Sequence, residues 1–121
     1  MTIDELRSYL SGYHDYMLEI EALEHSLEGM RCAGSGDAGG SSKTTVQRYD
    51  AIIDRIDKLS AKAQDIIDFI FNNFEGRKRV VLYYLYIDCM DANEIADWLD
   101  VSVSTVRKEA SEALKTYLFL H

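Results

Sequence analysis

The chain is 121 residues long, enough for one compact core with an appendage and too short for two enzyme-sized domains. An apolar fraction of 47% and a charged fraction of 28% exclude the disordered class, and the absence of proline removes the commonest helix breaker. A net charge of -8 excludes binding of nucleic acid through bulk positive charge, but the acid is unevenly placed: residues 1–75 carry seven Lys/Arg against fourteen Asp/Glu, and residues 76–121 carry six against seven.

No stretch approaches the ~18 uncharged apolar residues of a membrane span. The opening MTIDELRSYL has acids in its first turn where a leader has a basic flank and an apolar core. The chain therefore reads as cytoplasmic, with no membrane partner. Cys32 and Cys89 stand far apart and belong to no CxxC pair, so free thiols are expected, with neither a zinc knuckle nor a redox motif.

In chain order, apolar residues first recur at Ile3, Leu6, Leu10, Tyr13, Met17 and Ile20, then at Leu23, Leu27 and Met30. Steps of three and four predict a helix from about residue 3 to 30, with a coiled-coil-like stripe that the extra three-residue step at Leu23 displaces. The glycine- and serine-rich CAGSGDAGGSSK at 32–43 is predicted as a flexible linker. Helical spacing resumes at Val46, Tyr49, Ile53, Ile56, Leu59, Ala63, Ile66 or Ile67, Ile70 and Phe74, predicting a second long helix. Two helices of this length would each span roughly 45 Å. The linker allows a reversal, so residues 1–74 are expected to form an antiparallel helical hairpin. An apolar stripe left uncovered by the partner helix must be buried against another chain or the C-terminal module, and a homodimer is the expected outcome.

A third helix is predicted from about 77 to 87, apolar nearly all round. Beyond it, Asp91 followed three residues later by Glu94 has the pattern of a capping box and opens a helix at 92–99. Within that helix Ala96 is small enough for another helix to cross it closely. Ile95 and Leu99 lie on the core face, Val101 closes the turn, and Val106 fills the inner face of the next helix. These spacings fit the helix-turn-helix template. Asp100 falls where a left-handed backbone usually selects glycine, a conformation Asp tolerates better than most residues. Ser102 is placed to cap a last helix from about 103 to 118, with Val106, Ala110, Leu114 and Leu118 facing inward.

The outer face of that last helix presents Ser104, Thr105, Arg107, Lys108 and Ser111, with Lys115 further on, a set suited to phosphates and base edges of double-stranded DNA. Recognition helices read bases with their N-terminal residues, so Ser104, Thr105 and Lys108 are the expected readers, while Arg77, Lys78 and Arg79 are expected to grip phosphate. Glu109 and Glu112 on the same helix either accept from a cytosine amino group or restrict which surface approaches the backbone.

The run KRVVLYYLYIDCMDANEIADWLDVSVSTVRKEASEAL, beginning at Lys78, resembles region 4 of the sigma-70 factors, and EIA, the LDVS turn and STVR are its most informative pieces. With an acidic helical hairpin and a glycine-serine linker ahead of it, the whole chain is similar to the RinA-like phage transcriptional regulators. The specific match covers about a third of the chain, and the N-terminal likeness is one of architecture alone. The resemblance implies an all-α fold, with the hairpin (1–74) followed by a sigma-70 region 4-like helix-turn-helix (75–121). It implies sequence-specific regulation of phage or prophage genes and RNA polymerase as a candidate second partner. Leu85 departs from the pattern where such proteins often carry a basic residue, and Cys89 and Asp100 depart where glycine is usual.

Other features have plainer readings. Tyr83, Tyr84 and Tyr86 could form a stacking platform for single-stranded nucleic acid, but their helical spacing favours a core with polar tips. His14 and His25 are separated by about 16 Å along one helix, too far to share a metal. His121 is expected to be unordered. Glu19, Glu21, Glu24 and Glu28 form a solvated face, and no catalytic, metal or cofactor constellation is found, so no enzyme is expected. Two rival readings remain: an adaptor whose helix-turn-helix docks on protein, and a phage DNA-packaging recognition subunit, which a ring-sized assembly would favour.

Overall fold

The computed structural model describes residues 1–34 and 42–121, with side chains described over 1–30 and 45–121. Every element in the described residues is a helix: α1 (Ile3–Gly34), α2 (Ser42–Asn73), α3 (Gly76–Tyr86), α4 (Ala92–Leu99) and α5 (Val103–Leu120). No helix among these residues is long and apolar enough to cross a membrane. The linker expected at 32–43 is shorter than its composition implied. Helix α1 continues through Gly34 and α2 is already helical at Ser42, leaving 35–41 outside the described residues. The expectation for the Cys32 thiol also lies outside the described side chains, whereas Cys89 is a free, exposed thiol.

The chain divides into two compact units, one of Met1–His14 with Gln64–His121 and one of Asp15–Ala63. The division expected at 74/75 is therefore a break between α2 and α3 within the first unit. The physical reason is burial. Leu6 and Leu10 from the first turns of α1, and Ile66, Ile70 and Phe74 from the last turns of α2, are as inaccessible as the core of α3–α5. Aromatic edges join the same elements: Tyr9 meets Phe69 at 5.4 Å, and Phe69 meets Tyr117 of α5 at 5.0 Å. Such pairs each add about 0.5–1.5 kcal/mol beyond their buried area.

The α2–α3 junction turns at Gly76, whose φ of 62° no side chain obstructs. Arg79 fixes this corner. Its Nε donates to the Phe74 carbonyl at 2.7 Å and its Nη2 to the Phe71 carbonyl at 2.8 Å, and the guanidinium lies 5.2 Å over the Phe71 ring. A cation at the C-terminal end of α2 thus satisfies carbonyls that have no helical partner.

Helix α4 occupies its expected bounds because both of its ends are specified locally. Asp91 Oδ1 accepts from the Glu94 amide at 2.9 Å. At the other end Asp100 adopts φ 55°, ψ 48°, and the Val101 amide reaches back to the Ala96 carbonyl at 3.0 Å, closing a Schellman-type cap. Ser102 Oγ then accepts from the Thr105 amide at 3.1 Å and starts α5. Val81, Ile95, Ala96 and Val106 form the buried cluster where α3, α4 and α5 meet, and Leu99 and Val101 pack against it. Tyr83, Tyr84 and Tyr86 are half-buried, as the core reading expects, and burial pushes the Tyr86 phenol pKa upward. His121, expected to be unordered, stacks on Tyr117 at 4.5 Å.

Besides Asp100, Cys89 is the other non-glycine residue with a left-handed backbone among the described residues, at φ 53°, just past the end of α3. An L-residue there is strained by roughly 1–2 kcal/mol, and the Cys89 thiol eases it only through weak contacts with the Tyr86 and Ile87 carbonyls, each at 4.0 Å. Cys89→Gly is expected to raise stability by about 0.5–1 kcal/mol. Thermal unfolding checks this, and a fall in Tm would show that the Cys89 Sγ contact with His14 Nδ1 at 3.4 Å outweighs the strain.

In the second unit, contacts run in opposite senses along α1 and α2. Lys62 lies 5.9 Å over the Tyr16 ring, Arg55 pairs with Glu19 at 3.1 Å, and Met30 shares a hollow with Val46 and Tyr49. Ile20, Leu27, Leu59 and Ala63 are buried, but Met17, Leu18, Val46, Tyr49 and Ile53 are exposed. Part of each expected apolar stripe thus faces solvent in this chain.

Candidate nucleic-acid interface

Helix α5 turns Val106, Ala113 and Leu114 fully inward, with Ala110, Tyr117 and Leu118 half-buried beside them. Its opposite side carries Ser104, Lys108, Ser111 and Lys115 at alternating steps of four and three, so these four share one outward stripe. Ser104, Lys108 and Lys115 are exposed and Ser111 is half-buried. Arg107 is exposed at one flank of the stripe, and no carboxylate among the described residues lies within ion-pair distance of it. Lys108 is 4.0 Å from Glu112 one turn on, a solvent-exposed pair worth little and readily exchanged for another anion.

Thr105 stands at the other flank, half-buried. Its hydroxyl lies 2.8 Å from that of Ser102, so it is built into the helix cap and is a poorer base reader than its position in sequence suggests.

Two of the three basic residues at the start of α3, Arg77 and Arg79, are engaged within the chain. Arg77 donates through Nε at 2.9 Å and Nη2 at 2.6 Å to Glu109 Oε1. Lys78 is half-buried and lines a hollow with Phe74, Glu75 and Tyr117, and Arg79 is held by the end of α2. Sequence reasoning placed all three on phosphate. It could not see that Glu109 approaches Arg77 from 32 residues away, or that the turn at Gly76 folds Arg79 back onto α2.

The hydrogen bond from Arg77 holds the Glu109 carboxyl below the usual carboxylate range, assisted by the charges of Arg77, Lys78 and Lys108. Because the folded value is depressed, the bridge stabilises the fold above the ordinary carboxylate value. That contribution is lost as pH falls through the lower folded value. In an NMR titration Glu109 is expected to protonate below the ordinary carboxylate range, and Arg77→Gln should raise it back toward that range. An unchanged Glu109 titration in that variant would refute the assignment.

Two features escaped the sequence reading. Trp98, the chain's one tryptophan, is 74% exposed on α4. The signal was present, since Ile95, Ala96 and Leu99 define the inner face of α4 and leave Trp98 outside it. The His14–Cys89 contact joins residues 75 apart and has no signal in spacing. Among the described residues no group of three or more His, Cys, Asp or Glu side chains is arranged to hold a metal ion.

No family model, curated protein or solved structure matches the chain.

Proposed function

We propose that this protein is a sequence-specific DNA-binding transcriptional regulator, of phage or prophage type by its resemblance to sigma-70 region 4 and RinA-like proteins. In this reading α4 and α5 form a helix-turn-helix and the paired halves of α1 and α2 form a helical hairpin. The observation that carries it is the outward stripe of α5. Ser104, Lys108, Ser111 and Lys115 stand on a helix whose N-terminus is fixed by Ser102 and whose approach to α4 is fixed by the left-handed Asp100. Two hydroxyls and two flexible cations on one rigid edge suit a groove floor and its bordering phosphates. Arg107 extends that edge.

The exposed Met17, Val46, Tyr49 and Ile53 support a homodimer formed through the second unit, which would pair two such edges on one duplex. RNA polymerase is a candidate second partner, and the reading needs no cofactor.

Selection from a random duplex pool at low and moderate salt, with light scattering on the same sample, tests the proposal. A regulator enriches a defined site and binds it less tightly as salt rises. No binding at low salt would reject the DNA reading. One observation favours a second reading, docking on protein: exposed aromatics are common anchors of protein interfaces, and Trp98 is such a residue. Under that reading Trp98→Ala abolishes partner capture while Lys108→Ala leaves it intact.

A further inference from the structure

The first unit contains a cleft of about 390 Å³ bordered by α1, α3, α4 and α5. Its walls are apolar, formed by Leu85, Val106 and Leu114, and the hollow exists because Ala92 and Ala110 stop short of filling the space between helices. The charged residues lining it are of one sign. Arg7 lines it from α1 and Arg107 from α5, and Tyr86 and Ser111 belong to the same lining. No carboxylate lines it, in a chain that has 21 acidic residues. Arg107 has no acidic partner among the described residues, and Arg7 has only Asp4 at 3.9 Å, a side chain 90% exposed. Burial pushes the Tyr86 phenol pKa up, opposed in part by the Arg7 charge; a phenol is in any case a donor at neutral pH.

An apolar hollow of this size with a few converging polar groups is the usual form of a small-molecule site. Guanidinium groups at its edge select a planar anion, which they can bind through paired hydrogen bonds. We propose that the cleft binds a small organic carboxylate with an apolar tail, the carboxylate held by Arg7 and Arg107 and the tail lying against Leu85, Val106 and Leu114. The assignment stands on this geometry and does not rest on the DNA-binding reading.

Octanoate and its neutral counterpart octanamide, titrated into the full-length protein and followed by amide NMR, test it. Octanoate is expected to give saturable shifts at Leu85, Ala92 and Ala110 and to bind at least ten-fold more tightly than octanamide. Arg7→Gln and Arg107→Gln are each expected to weaken octanoate about ten-fold and to leave octanamide unchanged. Ser111→Leu, which fills the hollow from a half-buried helix position, should block both ligands while the spectrum stays dispersed. The absence of saturable shifts, equal affinity for the two ligands, or shifts confined to the hollow at Met30, Val46 and Tyr49 would each overturn the proposal.

Discussion

Leu10→Ala is expected to destabilise the first unit by about 2–5 kcal/mol, the range for truncating a buried leucine. This is a large share of the roughly 5–15 kcal/mol available to a small protein. Leu10 and Leu6 are completely inaccessible, and the helix turns that bear them also supply the Tyr9 ring to Phe69 and the His14 ring to Cys89. The first fourteen residues thus belong to the unit that carries α3–α5, and Leu6 and Leu10 place them in its core. A fragment of residues 75–121 lacks these turns and those of α2. It is expected to show weak helical circular dichroism and no cooperative melt. A sharp thermal transition in that fragment would place the boundary back at the start of α3. Leu18→Ala, at a position 52% exposed, is the control and should change little.

The second large effect concerns binding. If α5 reads DNA through its outward stripe, Lys108→Ala and Lys115→Ala should each lower affinity and reduce the slope of log K against log salt by about 0.9, one phosphate contact apiece. Glu109→Gln should act in the opposite direction. It removes the negative charge that neutralises the Arg77 guanidinium, leaving an uncompensated cation where phosphate is expected to pass. Affinity rises in that variant and the salt slope steepens. Binding that is indifferent to all three substitutions would sink the interface drawn here, whatever the protein's other activities.

Much of the local structure was legible in the sequence because local chemistry specifies it. Asp91, Asp100 and Ser102 define the ends of α4 and the start of α5 through bonds to amides three residues away or through one backbone conformation. The division into units was not legible. The three-and-four spacing runs unbroken past His14 and past Ala63, and periodicity identifies which face is apolar without saying what covers it. Burial then differs along one stripe: Leu59, Ala63, Ile66 and Ile70 are covered while Val46, Tyr49 and Ile53 are not. The outward stripe of α5 could be read from spacing. The diversion of Arg77 and Arg79 could not, because both depend on the turn at Gly76 and on partners set by the tertiary fold. Leu85, a departure from the resemblance where a basic residue is common, forms part of the apolar wall of the cleft beside Arg107.

The position of Trp98 also determines what intrinsic fluorescence reports. An indole in water before unfolding and in water afterwards barely changes its emission, so the tryptophan signal should be nearly silent through denaturation, while circular dichroism records the loss of the helices. The same indole shifts to the blue and resists iodide quenching once another macromolecule covers α4. The native chain therefore carries its own optical sensor of docking at that helix, and it requires no label.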